Sequence, residues 1–202
     1  MVEFKYFDKW SVEGVEIKDK TLQKFIKLDP TPTLRSGGLQ TKRQFAKAEV
    51  PIVERLINKI MRSGPGAGKI GGRVIRGAGA CGKKYKAYNI VKKAFEIIEQ
   101  RTKKNPVQVL IDAIVNCAPR EETTRISYGG ITYHVAVDVS PLRRIDIALR
   151  NLAAGAFAAS FRNKKRIWEC LAEEIILAAN ADPKSYAFAR KEEIERIAKG
   201  AR

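Results

Sequence analysis

The sequence predicts a mainly α-helical fold, a bundle of about six helices with one β-hairpin. Three observations predict it. Apolar residues recur at helical spacing through most of the chain, the period switches to two only around Gly129-Gly130, and no internal repeat is visible. With 202 residues and 45% apolar content the chain can fill a real core.

The elements follow in order. Pro51 suits a first helical position, and Ile52, Val53, Leu56, Ile57, Ile60 and Met61 share one face before Ser63-Gly64 stops the run. A second helix carries Ala87, Val91, Ala94, Phe95 and Ile98. A third opens on Asn105-Pro106, buries Val107, Leu110, Ile114 and Cys117, and ends before Pro119. Strands from Glu122 to Tyr128 and from Ile131 to Val139 then face each other across Gly129-Gly130, which supplies the positive φ of a two-residue turn. One strand face holds Thr124, Ile126, Tyr128, Ile131, Tyr133 and Val135; the other holds Thr123, Arg125, Ser127, Thr132 and His134. Ser140-Pro141 starts a fourth helix with Leu142, Ile145, Leu149, Leu152 and Ala156 inward. A fifth is expected to start after Asn163, with Ile167, Leu171 and Ile175 inward, and to end near Asn180; a sixth runs from about Ser185 to Lys199. Residues 1–45 read as an N-terminal extension, partly extended and contacting RNA or protein. Residues 46–202 read as the helical domain, with a Gly/Arg-rich insertion at 64–86 and the hairpin at 122–139.

Charge narrows the function. The net charge is +17, which makes polyanions the leading partners. Residues 31–86 hold 13 basic and two acidic side chains, so most of the excess sits in about a quarter of the chain. Eight of the 15 glycines fall between Gly64 and Gly82, interleaved with Lys69, Arg73 and Arg76, and such a loop is expected to order only on an anionic partner. Three widely spaced cysteines fit neither a disulfide framework nor a metal knuckle, and point to a reducing compartment. The one histidine, His134, leaves histidine-rich catalysis short of residues. The longest uncharged stretch, Ile126 to Val137, is too short to span a bilayer, and the charged N-terminus does not resemble a secretory signal. A cytoplasmic protein without a membrane is expected.

Gly77-Ala78-Gly79-Ala80-Cys81-Gly82-Lys83-Lys84 matches GxGxxG and all of the P-loop pattern except its last position, where Lys84 cannot ligate magnesium. The strand that both motifs require is missing, so Lys83 and Lys84 are better read as phosphate contacts. No cofactor, no metal and no enzymatic activity are expected.

Two helix starts carry cations where the dipole disfavours them. Arg143 and Arg144 follow Ser140-Pro141, and Lys164, Lys165 and Arg166 follow Asn163. A phosphate at each start makes sense of both placements. On that reading Arg143 and Arg144 can both become glutamate without loss of the fold. The aromatic hairpin face either lies on the helices or projects to stack on RNA bases.

As a set, Ile57-Asn58-Lys59-Ile60-Met61-Arg62-Ser63-Gly64, Asn105-Pro106, Gly129-Gly130 followed by Tyr133, and Val139-Ser140-Pro141 followed by Arg143-Arg144 closely resemble the universal small-subunit ribosomal protein seven family, over roughly Ala46 to Arg202. The block up to about Asp29 and Pro51-Ile52-Val53-Glu54-Arg55-Leu56 look like the archaeal and eukaryotic branch; the run from Pro65 to Lys84 is longer than the bacterial turn there. The resemblance implies a helical bundle with a protruding hairpin that binds the 3′ major domain of small-subunit ribosomal RNA. It also implies a role in nucleating head assembly, a place beside the exit site near messenger RNA and exit-site transfer RNA, and contacts with head and platform proteins. The alternative is a general basic nucleic-acid-binding protein. The candidate RNA-contacting residues are Arg35, Lys42, Arg43, Lys47, Lys59, Arg62, Lys69, Arg73, Arg76, Lys83, Lys84, Lys86, Arg120, Arg125, Tyr128, Tyr133, His134, Arg143, Arg144, Arg150, Lys164, Lys165 and Arg166.

Overall fold

A computed structural model describes residues 4–31, 43–62, 69–70, 73–74 and 82–202. Among these are seven helices: α1 (Lys20–Gln23), α2 (Ile52–Arg62), α3 (Lys84–Thr102), α4 (Pro106–Cys117), α5 (Pro141–Ser160), α6 (Ile167–Ala179) and α7 (Tyr186–Gly200). Two antiparallel ladders accompany them, a short one of β1 (Lys69–Ile70) with β2 (Arg73–Val74) and the hairpin of β3 (Glu121–Tyr128) with β4 (Ile131–Asp138). Five helices lie where the periodicity put them and α6 starts later than expected; the seventh is the single turn α1, capped by Asp19, whose carboxylate accepts from the Thr21 N–H at 2.9 Å. The expected mobility of the glycine-rich loop concerns residues that lie mostly outside those described.

The central helix is α6, which packs against α3, α4, α5 and α7 and sinks Leu171, Ala172, Ile175 and Ala178 completely. Its apolar face is wide because its neighbours surround it. Where α5, α6 and α7 meet, Gly155 is required: a Cβ there would lie 2.9 Å from the Tyr186 Cβ and 3.0 Å from the Glu174 carboxyl carbon. Glu174 on α6 is buried and accepts from the Ser185 hydroxyl at 2.8 Å and the Ala187 N–H at 2.9 Å, so it satisfies orphan donors at the start of α7.

The N-terminal segment is part of this core. Tyr6, Phe7, Trp10, Leu22 and Ile26 are buried in the same apolar cluster as α2 to α6. Phe7 and Trp10 meet Phe95 of α3 edge-on at 5.7 Å, and the Tyr6 hydroxyl donates to the Leu28 carbonyl at 2.7 Å. Asn105, which caps α4 by accepting from the Val107 N–H, also donates to the Ser11 carbonyl at 2.8 Å.

The fifth predicted helix starts later than expected. Helix α6 begins at Ile167, so Lys164, Lys165 and Arg166 lie in the preceding turn and not in the first helical turn. That first turn carries Glu169, which accepts from the Arg166 N–H at 3.1 Å and obeys the helix dipole.

Candidate nucleic-acid interface

The hairpin pairs Tyr128 with Ile131, Ile126 with Tyr133 and Arg125 with His134 across Gly129 and Gly130, whose φ values of 57° and 83° suit the mirror-image turn. Its base rests on α7, and the Arg120 N–H is held by Glu195 at 2.8 Å. From Arg125 to Val135 every residue is exposed. Ile126, Tyr128, Ile131 and Tyr133 keep between 50% and 81% of their surface in solvent, so the tip projects. It offers an aromatic and apolar face on one side and Arg125, His134, Ser127 and Thr132 on the other. Such a finger can stack on bases from one face and contact phosphates from the other.

At the start of α5 the two neighbouring arginines part company. Arg143 stays exposed and grips Glu122 with both sides of its fork, at 2.7 and 3.0 Å. Arg144 is buried and donates to Asp19 at 3.0 Å and to the Thr21 hydroxyl at 2.9 Å. Burial opposes the charge on Asp19, but hydrogen bonds from Thr21 and Arg144 outweigh it and hold the carboxyl below the usual carboxylate range. The expectation that both arginines can be reversed freely is therefore corrected: Arg144 is a structural ion-pair partner of a residue 125 positions away, and a glutamate there would face Asp19 in a dry setting.

One turn further, Asp146 collects three cations. Lys47 hydrogen-bonds to it, Arg55 donates at 3.3 Å, and the Lys59 ammonium lies 3.6 Å away. Asp146 would be pushed up by burial, but these partners hold it down, while burial lowers Lys59 and Arg55 against the pull of Asp146. Three positive charges on one carboxylate leave two in excess. Beside them opens a cleft of about 370 Å³ lined by Lys59, Arg143, Arg150 and Arg190 with Ser140 and Asn151, against the carboxylates of Glu122 and Asp146. The Asn151 side-chain Nδ2 is buried there without a hydrogen-bond partner. Four cations, an unspent amide donor and a helix start without side-chain cap or acidic first turn can hold a phosphate group.

The other candidates are distributed around the body. Lys83 and Lys86 are exposed at the start of α3, whereas Lys84 is drawn 2.6 Å from the buried Glu54. Arg62 ends α2 in solvent and Arg43 pairs with Glu49. Lys165 is held at 2.9 Å by Glu173, Lys164 is exposed, and the Arg166 guanidinium lies over the Trp168 ring. Lys69 and Arg73 contribute backbone to the β1–β2 ladder; Arg35, Lys42 and Arg76 lie outside the described residues. Arg190 and Asn151 were absent from the sequence-derived set. No local signal marks them, because only the packing of α7 on α5 brings Arg190 to the cleft.

Residues 31–202 match the family described as ribosomal protein S7p/S5e. The chain belongs to that family. Ribosomal protein S7p/S5e members are non-enzymatic, structural constituents of the small ribosomal subunit that bind its ribosomal RNA. Among the described residues no helix is long and apolar enough to cross a membrane.

Proposed function

We propose that this protein binds the 3′ major domain of small-subunit ribosomal RNA, nucleates assembly of the subunit head, and reaches with its hairpin toward messenger RNA and exit-site transfer RNA in a cytoplasmic ribosome of the archaeal or eukaryotic type. Neighbouring head and platform proteins are its protein partners on this reading. The observation that carries it is the hairpin tip. An exposed aromatic pair on an arm anchored only at its base stabilises nothing in the body, so its residues act on something outside. The cleft at α5 supplies a phosphate anchor from Lys59, Arg143, Arg150 and Arg190, in which the Glu122 grip on Arg143 is exchanged for RNA phosphate.

The test is competition of a 3′ major domain transcript against unrelated duplex RNA at fixed physiological salt. Preference for the transcript is expected. Equal affinity for both would reduce the protein to a general basic nucleic-acid binder, since phosphate contacts alone accept any polyanion.

A further inference from the structure

A second aromatic surface lies far from the hairpin in sequence. Tyr85 stands in the first turn of α3 with 78% of its surface in solvent, nearly as bare as Tyr128 at the hairpin tip. It is not isolated. Its ring lies parallel to that of Tyr88 within 5°, centroids 6.2 Å apart, as the i,i+3 spacing on a helix allows. Tyr88 in turn meets Phe7 at 4.8 Å, and Phe7 meets the fully buried Phe95 at 5.7 Å. Four rings thus touch in succession from the core to the surface, and the last is largely open to solvent. Lys83 and Lys86 flank it, both exposed, while Lys84 is committed to Glu54. The cleft beside it, of about 760 Å³, is walled by Met61, Gly82, Lys83, Tyr85, Lys86 and Tyr88 with no carboxylate among them.

We propose that Tyr85 is a stacking platform for an unpaired RNA base, with Lys83 and Lys86 holding the phosphates on either side of that base. The assignment rests on the RNA-binding reading above. It goes beyond it by naming a contact with a single-stranded nucleotide, on residues that belong to neither the hairpin nor the lining of the α5 cleft. The parallel Tyr88 ring behind Tyr85 favours this orientation before binding, which reduces the rotamer freedom lost when a base arrives. Every base has a π-face, so the platform accepts any base and prefers no sequence; the lysines add attraction for a backbone of regular negative charge. A paired helix cannot use such a ring, because its bases are already stacked on each other.

The experiment uses the full chain and its Tyr85→Ala, Tyr85→Phe and Tyr85→Trp variants. Affinity for the 3′ major domain transcript is measured across a salt series. Tyr85→Ala is expected to lose roughly tenfold at every salt concentration with the slope unchanged, because a ring is removed and no counterion exchange is touched. Phenylalanine and tryptophan are expected to keep the affinity. In a second arm, the fluorescence of Tyr85→Trp above that from Trp10 and Trp168 is followed on adding short oligoadenylate or inorganic polyphosphate; quenching by the first alone is expected. Unchanged affinity of Tyr85→Ala would overturn the proposal and leave the ring to a protein neighbour. Loss in Tyr85→Phe equal to that in Tyr85→Ala would overturn it too, by showing that the hydroxyl was what mattered. If the wild-type chain shows no preference for the transcript, the ribosomal-RNA reading fails by itself, and the oligoadenylate arm decides the platform: quenching supports it, and no quenching overturns it.

Discussion

Arg144→Ala separates the two arginines at the start of α5. The side chains of Arg144 and Asp19 are 8% and 15% exposed, and their 3.0 Å contact joins the first turn of α5 to the cap of α1. Removing one member of a buried pair leaves the other charged and poorly solvated, at a cost of about 3–5 kcal/mol. Two features place this pair at the low end. Asp19 keeps the Thr21 N–H and hydroxyl as donors, and the Arg144 Nε is buried without a partner, so the intact pair never recovers its full desolvation cost. The expected loss is about 3 kcal/mol, which in a chain of this size lowers the melting temperature by roughly 6–12 °C. Because the Asp19 carboxyl is held below its unfolded value, the stabilisation is present above about pH 4 and fades as pH falls through the folded value. Thermal unfolding of the free protein at neutral pH and near pH 3 is the assay, with Asp19→Ala and the double variant completing a cycle. A loss below about 1 kcal/mol, or one that does not shrink in acid, refutes the reasoning.

Arg143→Glu is expected to change melting little, since its pair with Glu122 is exposed and such pairs contribute about 0–1 kcal/mol, yet to weaken transcript binding and flatten its salt slope by about one ion. Deleting Ser127 to Thr132 and closing the strands with Asn-Gly should leave the melting temperature nearly unchanged; a large drop in calorimetry would place Tyr128 and Ile131 in the folded body's stability. Gly155→Ala should destabilise by about 1–3 kcal/mol in denaturant titration despite alanine's better helix propensity, because its Cβ meets Tyr186 and Glu174. Burial pushes the Glu174 carboxyl up against the hydrogen bonds from Ala187, Ser185 and Tyr186. Ionising it therefore costs stability as pH rises above about 4, and the gain of Glu174→Gln over wild type should grow from pH 4 to pH 7 in parallel melts.

What the sequence made legible was local. Asn105-Pro106 announced the start of α4 because the cap and its target are two residues apart, and Gly129-Gly130 set the hairpin register because a two-residue turn allows one pairing. The start of α6 was misplaced because Asn163 is a good cap in isolation. The winning cap is the Glu169 carboxylate reaching back to Arg166, a signal that the run of three cations obscured. Residues 1–45 read as an extension because nothing local shows that Phe7 and Trp10 pack on Phe95, far along the chain. Arg144 was legible as a cation in the wrong place for a helix start. Only the tertiary fold could supply Asp19, and so the same anomaly had an internal answer at one arginine and an external one is argued for the other.

The hairpin's pairing fixes how its reach can vary. Eight residues per strand at about 3.4 Å each set the arm's length, and its base is held by α7 while its tip is free. Adding one residue to each strand between base and tip would carry the turn outward by a single rung, but it would also roll the tip half a revolution, so that the tyrosines looked where Arg125 and His134 had looked. Two rungs at a time restore the original aspect. Arm length in this protein is therefore quantised at about 7 Å, and homologous arms that differ by an odd number of rungs either aim their rings at a different surface or carry a bulge that turns them back.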